Sequence, residues 1–138
     1  MYKKILLAAD GSDHSIRAAE HALALANITA NSHIDIVNII DSETAKTEVL
    51  KFGESHMLDD KRREKLHGVE DVLKSEVSYE VHIVHGEPGP TLVKRANEND
   101  YDVVVVGSRG LNNLQSMVLG SVSHKVAKRV NCPVMIIK

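Results

Sequence analysis

The run Val103-Val104-Val105-Val106 constrains this chain more than any other feature. Four β-branched side chains in succession favour a strand. With no polar alternation, both faces of that strand must meet apolar neighbours, as happens in a parallel sheet with helices above and below. The rest of the chain supplies matching elements. Lys4 to Ala9 and Ile34 to Ile40 are further apolar runs, Tyr79 to Val84 alternates, and Pro133 to Ile137 is the last strand-like segment. Helical stripes lie between them. Ile16, Ala19, Leu23 and Ala26 share one face, and Leu66, Val69 and Leu73 share another within a charged stretch from about Leu58 to Val77. Leu92, Val93 and Ala96 give an inner face to a helix expected to start at Pro90, and Val122, Val126 and Val130 do so for one starting near Ser121. Asp10-Gly11-Ser12-Asp13 is turn and helix-start chemistry, with Ser12 or Asp13 as the cap. Residues 43–55 have no clean period and read as a variable connection.

Strands alternating with helices, joined by right-handed crossovers, predict an α/β fold: a doubly wound, five-stranded parallel sheet of order 3-2-1-4-5 with helices on both faces, Rossmann-like. At 138 residues the chain is read as one domain, 1–138. Chains of this size bury roughly 70% of their unfolded surface and need no disulfide or metal to fold. The single cysteine, Cys132, precedes Pro133 and reads as a packed thiol. With no signal-like core and no run of about 18 apolar residues, the expectation is a cytoplasmic protein without membrane attachment. A net charge of -2 argues against nucleic acid as a partner. The basic run Lys61-Arg62-Arg63-Glu64-Lys65 is read as a solvated helix face.

In the order 3-2-1-4-5, strands 1 and 4 are neighbours whose crossovers leave to opposite faces, which opens a crevice at their C-terminal ends. The chain places Ala9-Asp10-Gly11 at one end and Gly107-Ser108-Arg109-Gly110 at the other. Gly107 and Gly110 let a ligand approach the backbone closely. Gly120 stands directly before a helix, whose N-terminus offers unpaired N–H groups and partial positive charge. Ser121 and Ser123 add hydroxyl donors and Arg109 a fixed charge. Taken singly, each glycine reads as a turn residue and Ser121 as a helix cap. Together, at the switch point, they read as a phosphate cradle.

The spacing Gly107-x2-Gly110-x9-Gly120-Ser121 resembles the nucleotide-binding pattern G-x2-G-x9-G-[S/T] of the universal stress proteins at every fixed position. Ile5 to Ser12 looks like that family's first strand and turn. Val103 to Gly110, Leu119 to Ser123 and Cys132-Pro133-Val134 look like its later parts. The likeness covers roughly residues 2–42 and 79–138 and is weak over 43–77. It implies ATP as ligand, with magnesium on the phosphates, which usually keeps several waters. It also implies that Asp10 lies near the nucleoside or the metal, with Ala9 where many members carry proline, and that Ile39 packs on adenine. Gly107 would run along the ribose, Arg109 and Gly110 along the phosphates, and Gly120, Ser121, Val122 and Ser123 around them.

Other chemistries find less support. The Walker and dinucleotide fingerprints are absent, and Ser12 is not in a hydrolase elbow. Among the eight histidines, His82 and His85 would point to opposite faces of a strand. His14 and His21 share a helix face without a ligand set to complete it, so no metal site is expected. His124 reads as a surface residue, and Met117 as an apolar anchor in the loop. The leading expectation is an ATP-responsive regulator that acts on an unidentified protein partner and turns over little or no ATP. The alternatives are a slow ATPase or a phosphoryl- or adenylyl-transferring enzyme, and an assembly protein that binds no nucleotide. Val134 to Ile137 would be an apolar edge strand, a liability unless covered. Pairing with its copy, as the resemblance also implies, predicts a homodimer.

Overall fold

Burial of the valine run organises the molecule. The computed structural model describes residues 1–41, 61–108 and 121–138. Its strands are β1 (Lys4–Ala8), β2 (His33–Ile40), β3 (Ser78–His85), β4 (Val103–Gly107) and β5 (Val134–Ile137). Helices α1 (Asp13–Ala26), α2 (His67–Leu73), α3 (Pro88–Glu98) and α4 (Ser121–Arg129) connect them in alternation, and a further helical turn spans 61–65. All five strands are parallel and lie in the order β3-β2-β1-β4-β5. The doubly wound α/β sheet expected from the sequence is the fold observed.

The valines of β4 divide between two apolar layers. Val103 and Val105 join Ile5, Leu7, Ile34 and Ile36 beneath α1 and α2. Val104 and Val106 join Leu6, Val37 and Leu92 beneath α3 and α4. Every residue of β4 is buried, which is why the run has no polar position.

Several element details differ from the sequence expectation. The buried residues of α1 are Ser15, Ala18, Ala19, Ala22 and Ala26, while Ile16 and Leu23 are only partly covered. The small side chains bring the helix close to the sheet, and the larger ones flank it toward α2, where Ile16 Cδ1 meets Gly68. The charged helix stops at Leu73 rather than Val77. Lys74 is extended, Ser75 takes a positive φ of 66°, and Val77 N–H still closes on the Leu73 carbonyl. Helix α3 starts at Pro88, two residues early, because Pro88 and Pro90 both fall in the first turn, where no intrahelical N–H is needed. Arg62, read as part of a solvated face, is 5% exposed. The variable connection 43–55 lies outside the described residues.

Candidate functional site

The C-terminal ends of β1 and β4 lie side by side at the switch point, in the register Ile5–Val103 and Leu7–Val105. At the β1 end the chain is tied down on both sides. Ala9 N–H donates to the Val37 carbonyl at 3.0 Å, and the buried Asn38 amide donates to the Ala9 carbonyl at 2.8 Å. Asp10 then turns the chain. Its Oδ1 accepts from Ser12 N–H at 2.9 Å and from Ser15 Oγ at 2.7 Å, while its own N–H donates to Ser15 Oγ at 2.9 Å. Ser12 is the N-cap of α1, accepting from Ser15 N–H at 3.4 Å, so the capping expectation holds for Ser12 rather than Asp13. The Asp10 carboxylate is therefore held in one orientation at a helix N-terminus that favours negative charge.

At the β4 end, Gly107 ends the strand and Ser108 N–H donates to the Ile137 carbonyl at 2.8 Å. Gly107 has a packing reason of its own. A Cβ there would stand 3.0 Å from His14 Cβ, so the glycine lets the first turn of α1 lie over the end of β4. Helix α4 begins at Ser121. Val122 is partly buried against the α3-side layer. Ser123 is 3% exposed and donates its hydroxyl to the Gly107 carbonyl at 2.8 Å. That bond differs from the expectation of a hydroxyl facing phosphate: the Ser123 proton ties α4 to the end of β4. The tie sets the first turn of α4 against the C-terminal end of β4.

Ile39 is 6% exposed and packs in the layer containing Val37 and Leu92. Arg109, Gly110 and Gly120 lie outside the described residues, as does Met117. The described residues thus bring together Asp10, Gly107 and the start of α4. They add Ser15 and Asn38, which sequence reasoning passes over, and His14, which it weighs only as a metal ligand. Asn38 had a signal, since it interrupts the apolar run Ile34 to Ile40. His14 had none, because its place beside Gly107 depends on how α1 crosses the sheet. Elsewhere, His124 is exposed as expected. Cys132 is partly buried and its thiol is pushed up by that burial, as befits a packed residue rather than a nucleophile.

The whole chain, residues 1–138, matches the model of the universal stress protein family. The chain belongs to this family. The universal stress protein YxiE of Bacillus subtilis is 34% identical, with all of both chains covered. The solved structure of protein MJ0577 of Methanocaldococcus jannaschii, itself a universal stress protein, superposes with a TM-score of 0.84 at 30% identity. That comparison covers 100% of this chain and 96% of the other. A crystal structure of a universal stress protein in complex with cAMP has a TM-score of 0.67 and 28% identity, covering 99% and 96% of the two chains. Membership accounts for the sheet order. Among the described residues of this universal stress protein, no helix is long and apolar enough to cross a membrane.

Proposed function

We propose that this universal stress protein binds ATP, with magnesium, in the crevice between β1 and β4, and acts as a nucleotide-responsive regulator in the cytoplasm. The observation that carries the reading is the convergence at that crevice of a fixed carboxylate, a strand end without side-chain bulk, and a helix N-terminus. Each suits a part of the ligand. The Asp10 Oδ1 atom is occupied by Ser12 and Ser15, so Oδ2 meets a ribose hydroxyl or a magnesium-bound water. Gly107 admits the sugar, and the first-turn N–H groups of α4 receive phosphate oxygens. Ile39 contributes the apolar wall for the base. The glycine spacing from Gly107 to Gly120 and the cAMP complex of a relative at 28% identity support a nucleotide of the adenine class. Protein purified without added nucleotide, then denatured, should release adenine nucleotide in proportion to its occupancy. Stripped protein that takes up no ATP on incubation would contradict the assignment.

Turnover should be slow or nil. Phosphoryl transfer needs an oriented attacking group as well as charge neutralisation. No residue from Gly107 to Ser123 is a carboxylate, and Asp10, after β1, is held by Ser12 and Ser15 in a structural turn. A phosphate-release assay is expected to give far less than about one turnover per second, the low end of ordinary enzymes. Steady turnover at that rate, lost in Asp10→Ala, would make the protein an enzyme.

A homodimer through β5 completes the proposal. This strand lies at the sheet edge, and Val134, Met135 and Ile136 remain only partly buried in the single chain. Two-fold pairing of β5 with its copy would cover them. Sedimentation at micromolar concentration should show a dimer. A monomer there would end the idea.

A further inference from the structure

Far from the glycine crevice, near the N-terminal ends of β2 and β3, four metal-ligating side chains converge. The register pairs His33 with Ser78, Asp35 with Glu80 and Val37 with His82. Alternate residues of a strand share a face, so His33 and Asp35 of β2 stand beside Ser78, Glu80 and His82 of β3. Four residues separate Asp35 from Ile39, or about 13 Å along the strand, which makes this a second location.

Three contacts near coordination spacing link the four side chains, with His82 joined to the group through Asp35 and Glu80. His33 Nε2 is 2.9 Å from Asp35 Oδ1, His82 Nε2 is 3.3 Å from the same oxygen, and His82 Nε2 is 3.1 Å from Glu80 Oε2. One ligand atom each from His33, Asp35 and Glu80 lie within 4.8 Å of one another. A tetrahedral zinc ion with nitrogen and oxygen ligands at roughly 2.0–2.2 Å would set them roughly 3.3 Å apart.

Outer partners orient the inner ones. Tyr101 donates its hydroxyl to Asp35 Oδ2 at 2.6 Å, which leaves Oδ1 directed at the two imidazoles. His33 Nδ1 is 2.8 Å from Ser78 Oγ, a hydroxyl placed to accept the Nδ1 proton once Nε2 turns from Asp35 to an ion. Access is open, since the His33 and His82 side chains are 36% and 28% exposed and Glu80 lies at the surface.

We propose that His33, Asp35, Glu80 and His82 form a binding site for one divalent transition-metal ion of the zinc class. Two imidazoles and two carboxylates match its ligand preferences and balance its charge. On binding, the ion takes the place of the protons that the Nε2 atoms now share with Asp35 and Glu80. His33 then carries its proton on Nδ1, with Ser78 Oγ accepting it. The ion would clamp β2 to β3, the edge strand of the sheet.

The test uses untagged full-length chain, stripped with a chelator and titrated with zinc against a chromophoric competitor. One equivalent should bind, with or without ATP, and excess magnesium should not displace it. The double variant His33→Gln/His82→Gln should lose at least about a hundredfold in affinity. Ser78→Ala, which keeps all four ligands but removes the hydroxyl on His33 Nδ1, should lose roughly tenfold or more, the usual worth of an outer partner. Circular dichroism checks that both variants are folded. Cobalt(II) on the unaltered protein should give the intense visible bands of four-coordinate geometry, a readout that depends on no variant. Failure to bind one equivalent, unchanged affinity in the folded double variant, or a weak six-coordinate cobalt spectrum would each overturn the assignment.

Discussion

Gly11→Ala is expected to destabilise the folded chain by about 3 kcal/mol. Gly11 takes a φ of +88°, a conformation that side chains rarely adopt. Space is also lacking, because a Cβ would lie 2.4 Å from the Lys65 carbonyl oxygen and 3.1 Å from its carbon. Both atoms belong to backbone, so no rotamer change relieves the contact. The turn cannot easily move either: on one side Asp10 is locked to Ser12 and Ser15, and on the other Ser12 caps α1. The penalty therefore combines backbone strain with displacement of the helical turn 61–65 from the start of α1. In urea the midpoint should fall with an unchanged slope, and the melting temperature should drop by roughly 10 °C. An alanine variant within about 0.5 kcal/mol of the parent would be an ordinary surface substitution. It would show that the backbone at this position is not left-handed.

Gly120→Val is expected to abolish ATP binding and leave the sheet folded. Gly120 lies outside the described residues, and the case rests on its place in the sequence, immediately before α4 (Ser121–Arg129). A ligand phosphate on the N-terminal N–H groups of α4 must pass close to the residue before the helix. A β-branched side chain there occupies that path and restricts the backbone. The strands beneath are sealed by their own layers: Leu6, Leu7, Val104 and Val105 are fully buried and do not depend on position 120. Calorimetric titration should show the affinity for magnesium-ATP reduced by at least about a hundredfold, or about 2.7 kcal/mol, with the circular dichroism spectrum retained. Parent-like affinity in a folded Gly120→Val protein would remove α4 from the phosphate site.

The fold was legible because its decisive signals are local. The valine run of β4, the glycines at strand ends and the apolar stripe of α2 each specify an element without reference to the others. The order 3-2-1-4-5, one of the orders that right-handed crossovers allow, is the one observed. What escaped was set by packing. The inner face of α1 is rotated by about one position because alanines, not the larger Ile16 and Leu23, set the helix–sheet distance. Ser123 was legible as a polar residue at a helix start. Its bond to the Gly107 carbonyl was not, since it spans 16 residues and depends on where α4 docks. The histidines show the same limit more sharply. Sequence spacing compares His82 with His85 and His14 with His21, and leaves His33 unpaired. The structure instead places His82 and His33 on the same carboxylate, 47 and two residues away from it along the chain. Asp35 was a visible anomaly in an apolar strand, but its partners come from β3 and from Tyr101, which only the register brings together.

The central claim is that ATP binds at the switch point, and the thermal response of the stripped protein tests it most directly. A ligand that binds only the folded state stabilises it by about 2.7 kcal/mol at a hundredfold excess over its dissociation constant. For a chain of this length that corresponds to a rise of roughly 5–10 °C in melting temperature. Magnesium-ATP should produce such a rise. NAD should produce much less, because it has no third phosphate to reach the start of α4. A melting temperature unmoved by millimolar magnesium-ATP, or moved equally by NAD, would contradict the account.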